Sequence, residues 1–260
     1  MQLIDSHCHL DANAFDGDRA AVVARAQAAG VAAQVVPAVT AAAWPKLREV
    51  CAAADLYPAY GLHPLFLDRH RPAHLALLAE WIARERPCAV GECGLDFFVD
   101  GLDATEQHRY FDGQLRLARE FDLPVIVHAR RAVDAVILAI RKVGRLRGVV
   151  HSFAGSAEQA RQLQSLDFLI GLGGPVTYQR AQRLRRLAAE LPMPQLLLET
   201  DAPDQPDADI HGQRNEPARL RTVLDTIAAL RGQPAAEIAE QTTRNAQRLF
   251  GLDRIAAPLH

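Results

Sequence analysis

Leu3-Ile4-Asp5-Ser6-His7-Cys8-His9 runs from an apolar pair straight into an H-x-H motif, and a similar design returns as Val125-Ile126-Val127-His128, Val149-Val150-His151 and Leu196-Leu197-Leu198-Glu199. Apolar runs this short read as strands buried on both faces. Working outward, the pattern predicts strands over Leu3 to Asp5, Gln34 to Pro37, Tyr57 to Gly61, Ala89 to Glu92, Val125 to His128, Val149 to His151, Phe168 to Gly171 and Leu196 to Glu199. Stretches with helical spacing separate them, such as Arg19 to Ala29, Ala73 to Arg86, Thr105 to Phe121, Ala157 to Leu166 and Gln179 to Leu191. Pro217 to Leu230 and Ala235 to Leu249 follow the last strand. This alternation implies a parallel sheet. Eight such units in 260 residues match a single-domain (β/α)8 TIM barrel over residues 1–260, in size as well as count. A doubly wound open sheet is the alternative, but no G-x-G-x-x-G follows the first strand.

Composition bounds the function. With 49% hydrophobic and 23% charged residues the chain can bury a large core, and the signature of disorder is absent. No apolar stretch is long enough to cross a membrane, and Met1 to His7 has no basic or apolar leader character. Cys8, Cys51, Cys88 and Cys93 lack C-x-x-C spacing and fit reduced thiols, so a cytoplasmic protein, expected as a monomer, follows. A net charge of -2 removes any whole-protein attraction to nucleic acid. A local basic site remains open, because all the positive side chains except Lys46 and Lys142 are arginine.

Laid on this scaffold, the histidines and acids gather at strand ends. Alternate residues of an extended segment point the same way, so His7 and His9 present two imidazoles to one point. Glu92, His128 and His151 end later strands, and the last strand runs into Glu199-Thr200-Asp201. In a parallel barrel the C-terminal ends meet at one mouth, where barrel active sites lie. A single strand-end histidine is more often hydrogen-bonded structure than a ligand. His7, His9, Glu92, His128, His151 and Asp201 together form a donor set for divalent ions. His70, His74, His108 and His260 fall on expected helices, loops or the terminus and read as surface residues, with His211 in the loop after the last strand left open.

The motifs also carry a resemblance. I-D-S-H-C-H-L-D (residues 4–11), G-L-H-P (61–64), V-G-E-C-G-L-D (90–96), L-P-V-I-V-H-A-R-R-A (123–132), H-S-F-A-G (151–155), G-G-P-V-T (173–177), L-L-L-E-T-D-A-P (196–203) and R-N-E-P (214–217) occur in order. In this respect the chain resembles the TatD family of metal-dependent hydrolases, in the wider amidohydrolase-like superfamily. The match spans nearly the whole chain. It departs after the last strand, where an acidic loop, Asp204-Gln205-Pro206-Asp207-Ala208-Asp209, stands in place of an aromatic and basic stretch, and Gln213 where lysine is common.

The resemblance implies that the same six residues are metal ligands, holding two divalent ions per subunit (Zn, Mg or Mn). Many superfamily members bridge their ions with a modified lysine at the end of strand four. None lies there in this chain, which leaves Glu92 as the bridge. One ion is then expected on His7, His9, Glu92 and Asp201, and the other on Glu92, His128 and His151, with a shared water whose pKa they lower. Asp201 serves as ligand and as general base, so Asp201, Glu92 and His63 form the expected catalytic set. His63 and Arg130 are the expected substrate-binding groups, with Arg214 adding charge at the mouth. Asp96 is expected behind the ligands, Phe97-Phe98 at the rim, and Cys8 and Cys93 in packing. The implied activity is phosphodiester cleavage, as a deoxyribonuclease with 3′-5′ exonuclease character on single-stranded DNA ends. A small-molecule metallohydrolase acting on a phosphoester, lactone or amide is the alternative, and a non-enzymatic metal store is a third reading.

Overall fold

The structure, a computed structural model, describes residues 1–52 and 55–252; His260 lies outside them. The strands β1 (Leu3–Asp5), β2 (Val31–Pro37), β3 (Leu56–Tyr60), β4 (Ala89–Asp96), β5 (Val125–Arg130), β6 (Gly148–Val150), β7 (Phe168–Leu172) and β8 (Leu196–Leu198) lie in one sheet in chain order. Each pairs in parallel with the next. The seam between first and last strands is stitched by Ser6, whose backbone N–H and hydroxyl both donate to Leu198 O at 3.0 Å. The result is the expected (β/α)8 barrel. Its helices are α1 (Arg19–Ala28), α2 (Trp44–Val50), α3 (Ala73–Glu85), α4 (Ala104–Glu120), α5 (Val133–Val143), α6 (Ala157–Gln164), α7 (Gln182–Glu190), α8 (Leu220–Arg231) and α9 (Ala235–Phe250). None of the described helices is long and apolar enough to cross a membrane.

The period of two along each strand sorts side chains into two apolar layers. Ile4, Ala33, Val35, Ala59, Ala89, Ile126, Val149, Leu169 and Leu197 form one buried cluster to which every strand contributes. Ala246, Leu249 and Phe250 of α9 join them, so we read this cluster as the barrel lumen, stoppered at one end. Their strand neighbours, such as Leu3, Val125, Val127, Val150, Leu196 and Leu198, pack in the larger second cluster with residues of the helices. Two positions beyond the lumen residues Ile126, Val149 and Leu197 come His128, His151 and Glu199. An apolar floor therefore sits directly beneath a polar layer.

The strand ends differ from expectation where neighbours decide them. β4 and β5 run on to Asp96 and Arg130 because they pair with each other there, Gly94 with His128, Leu95 with Ala129 and Asp96 with Arg130. A side chain on Gly94 would collide with the His128 carbonyl, and its φ of 145° is one that L side chains rarely adopt, so glycine is required for this pairing. β2 starts at Val31, before the expected Gln34, because Val31 and Ala33 pair with Leu3 and Ile4 of β1. Local signals also act: Ser156 and Gln159 form a reciprocal cap on α6, and Asp103 caps α4 through the N–H groups of Thr105 and Glu106.

Candidate active site

All six expected ligands converge on the barrel mouth, with Glu92 at the centre. Glu92 Oε2 lies 3.3 Å from His7 Nε2 and 3.4 Å from His9 Nε2. Its other oxygen, Oε1, lies 2.9 Å from His63 Nε2, 3.3 Å from His128 Nδ1 and 2.8 Å from His151 Nε2. Asp201 Oδ1 closes the first group at 3.4 Å from His7 and 3.5 Å from His9. Within each group two imidazole nitrogens face one another, His7 with His9 at 3.2 Å and His128 with His151 at 3.3 Å.

Hydrogen bonds on the far nitrogens separate ligand from donor. His9 Nδ1 meets the Pro37 carbonyl at 3.1 Å and His128 Nε2 meets Asp96 Oδ2 at 2.9 Å, so each carries its proton away from the centre and aims a lone pair inward. His63 is wired the other way. Its Nδ1 accepts the Leu65 N–H at 3.1 Å, which leaves the proton on Nε2 and makes this ring a donor to the site.

The surroundings hold these groups in place. Asp5 accepts from the N–H groups of His7 and Thr200 and from the Thr200 hydroxyl, joining the first and last ligand segments. Burial raises its carboxyl to about 7, against those hydrogen bonds. Glu199 is also raised by burial, to about 8, and accepts from Ser152 N–H; Gly171 leaves the space that its carboxyl fills. Asp201, with φ of 58°, receives Gln205 Nε2 on Oδ2 at 2.5 Å. Asn215 braces that loop by donating to Thr200 O and Asp204 O, each at 2.8 Å.

The electrostatics favour positive charge at the centre. Burial opposes ionisation of Glu92, yet His63, His151 and His7 hold its carboxyl well below the usual range. Burial likewise opposes ionisation of Asp201, and the His9 hydrogen bond with His7 and His151 brings it to about 2. His7 and His151 stack at 3.9 Å and cannot both be charged. Burial and the neighbouring His151 take His7 to about 4; burial lowers His151 too, but Glu92 outweighs it and raises that ring to about 9. Three groups could each hold an ion: His7, His9 and Asp201; His7, Glu92 and His151; His63, Glu92 and His128. Inward lone pairs, ionised carboxylates and borderline nitrogen and oxygen donors fit a divalent metal. The third group fits less well, because His63 presents a proton.

The mouth above is a cavity of about 1070 Å³ lined by His9, His63, Glu92, His128, His151 and Asp201 together with Phe97, Phe98, Arg130, Arg131 and Arg183. The Arg130 guanidinium lies 3.6 Å over the Phe98 ring. Two expectations are corrected. Arg214 does not charge the mouth: its guanidinium is spent on Asp18, at 2.8 and 2.7 Å, and on Ala14 O. His70 is not a surface residue; it is 4% exposed and its Nε2 bonds the His63 carbonyl at 2.9 Å. Arg219 offsets one of the acidic loop's three negative charges, forking onto buried Asp207 at 2.6 and 2.7 Å and reaching Asp209 at 3.3 Å. Arg183 and Gln205 escaped sequence reading, since no local spacing marks a loop or helix residue as facing the mouth. His74 and His108 are half-buried, and His211 is exposed beside Tyr178.

Residues 4–251 match the family model described as TatD related DNase. The chain belongs to the TatD family. A metal-dependent hydrolase of Escherichia coli, YjjV, described as uncharacterised, is 42% identical over 259 residues, covering 96% of this chain and 98% of the relative. The crystal structure of that TatD homologue superposes with a TM-score of 0.92 at 40% identity, over 96% of this chain and 98% of the other. At 33% identity, a relative from Erwinia tasmaniensis named 3′-5′ ssDNA/RNA exonuclease TatD matches over 96% of this chain and its own full length. This TatD-family chain is therefore a metal-dependent hydrolase, with the buried donor set at its mouth.

Proposed function

We propose that the protein is a phosphodiesterase that removes nucleotides from single-stranded DNA ends in the 3′-5′ direction. One observation carries this reading: Arg130, Arg131 and Arg183 line the mouth above the donor set, and none makes an ion pair among the described residues. Unpaired guanidiniums facing a cavity are suited to phosphate. The exonuclease name of the Erwinia relative supports it. Four free cysteines agree with action in the cytoplasm.

His7, His9, Glu92 and Asp201 would hold one divalent ion, and Glu92, His128 and His151 a second. Such ions supply Lewis acidity toward the phosphoryl oxygens and make hydroxide available near neutral pH. The residues do the rest. Arg130 and Arg183 hold the terminal phosphodiester at the mouth. His63, whose Nε2–H lies 2.9 Å from Glu92 Oε1, shares that donor with a non-bridging oxygen as negative charge grows there. Asp201 accepts a proton from the attacking water at Oδ1 while Gln205 fixes Oδ2. Water adds to phosphorus, the bond to the 3′ oxygen of the preceding nucleotide breaks, and that oxygen takes up a proton from solvent while Asp201 returns its own.

Asp11, Asp134 and Asp204 also line the mouth and favour the second reading, hydrolysis of a small phosphoester, lactone or amide. Trimming of a 5′-labelled single-stranded oligonucleotide by Mn²⁺-loaded protein, beside a panel of chromogenic small esters, decides between them. A ladder of shortened products supports the nuclease. Rapid turnover of a small ester with an intact oligonucleotide would establish the other.

A further inference from the structure

A second cavity of about 460 Å³ adjoins the mouth, lined by Tyr178, Arg180, Gln205, Pro206 and His211. It shares Gln205 with the mouth, so the residue that holds Asp201 is also the ridge between the two. The Tyr178 ring meets His211 edge-on at 5.7 Å, and the Arg180 guanidinium lies 5.2 Å over it. Residues 178–186, Tyr-Gln-Arg-Ala-Gln-Arg-Leu-Arg-Arg, hold four arginines and no acid in a chain of net charge -2. Arg185 is partly engaged with Val176 O, whereas Arg180, Arg183 and Arg186 make no ion pair or hydrogen bond through their side chains among the described residues. Arg183 reaches the mouth and Arg180 the side cavity.

We infer that this side cavity is a subsite for the nucleotide preceding the one being removed, with a base against the Tyr178–His211 rings and its phosphate held by Arg180. The inference rests on the nuclease reading and adds to it where the rest of the strand lies. Aromatic rings beside a basic track are how single strands are held without sequence preference, because every base has a π face. A small ester would fill the mouth and leave this cavity unused. Gln205, placed between terminal nucleotide and subsite, ties occupancy of the side cavity to the position of Asp201.

The test compares kcat/KM for thymidylate oligonucleotides of increasing length, from the dinucleotide upward, in Mn²⁺-loaded wild type, Arg180→Glu and His211→Ala. Both substituted residues are exposed. Wild type gains efficiency as length increases, and each variant loses about tenfold of that gain, the size of one base stack or one phosphate contact. Tyr178→Phe keeps the ring and therefore most of the gain, although it gives up the hydroxyl's bonds to Pro206 O, Asp207 O and His211 Nδ1. If the gain with length is the same in Arg180→Glu and His211→Ala as in wild type, the subsite is refuted while the nuclease stands. If wild type cleaves no oligonucleotide of any length but turns over a small ester, the nuclease reading falls and the subsite with it.

Discussion

Asp96→Asn is the sharpest probe of the metal centre, because it keeps the shape of the side chain while replacing the acceptor that faces His128 by a donor and removing one negative charge. Asp96 Oδ1 accepts the N–H groups of Phe98 and Val99 at 2.8 and 3.1 Å, while Oδ2 faces His128 Nε2 at 2.9 Å. In the asparagine variant those two N–H groups pin the amide oxygen to the Oδ1 side. Flipping it would give up two hydrogen bonds, each worth roughly 0.5–1.5 kcal/mol net, and set donors against donors. The NH2 group therefore faces His128, whose Nε2 must become an acceptor, and the ring proton moves to Nδ1. That is the nitrogen aimed at Glu92 and His151, so its lone pair is lost to the ion. Outer partners of metal-bound imidazoles are typically worth 10–100-fold in affinity, about 1.4–2.8 kcal/mol. We expect a loss of that size in a chelator-competition titration, with turnover at limiting metal falling in parallel and recovering at high metal. Thermal stability of the metal-free protein should change little. An Asp96→Asn protein that binds metal within twofold of wild type would refute the assignment of His128 Nδ1 as a ligand.

Three further outcomes are expected. Prolonged chelation abolishes hydrolysis, and Mg²⁺, Mn²⁺ or Zn²⁺ restores it; the melting temperature should fall with it, since an ion at a hundred times its Kd stabilises the fold by about 2.7 kcal/mol. Turnover undiminished in metal-free protein would contradict this. Glu92→Ala removes activity and lowers bound metal as measured by elemental analysis, yet keeps one cooperative melting transition, because β4 is anchored by Ala89, Val90 and Leu95 in the apolar layers. Arg130→Ala weakens binding of a single-stranded oligonucleotide and makes the log-log salt slope shallower by about 0.7, one phosphate contact; an unchanged slope would place Arg130 off the substrate path.

The parts of the site that sequence reveals are those fixed by strand direction. His128 and His151 follow lumen residues by two positions on their own strands, so the period of two places them without knowledge of the rest of the molecule. His7 and His9 are legible from their H-x-H spacing, which turns both rings to one side of an extended segment, and Glu92 because no lysine competes for its place. Arg183 is not legible: its helix presents arginines at 183, 185 and 186, and only the docked helix decides which one looks into the mouth. Gln205 turns on a backbone with φ of 49°, in a loop whose path depends on Asn215 ten residues later. His70 and Arg214 were misplaced for a common reason. Each lies outside the strands and is claimed by a distant partner, the His63 carbonyl in one case and Asp18 in the other.

The seam at Ser6 has a consequence for how the molecule is made. Asp201 N–H bonds His7 O, His9 N–H bonds Ala202 O, and Thr200 N–H reaches Asp5 across 195 residues. The donor set is thus built on the junction of the first and last strands. A chain leaving the ribosome carries its two leading imidazoles through nearly the whole of its synthesis before the aspartate that completes the group emerges. Contacts of such separation form late. An ion captured by the finished set would select the molecules whose barrels have closed, and the metal would act as the last checkpoint of assembly before it takes any part in chemistry.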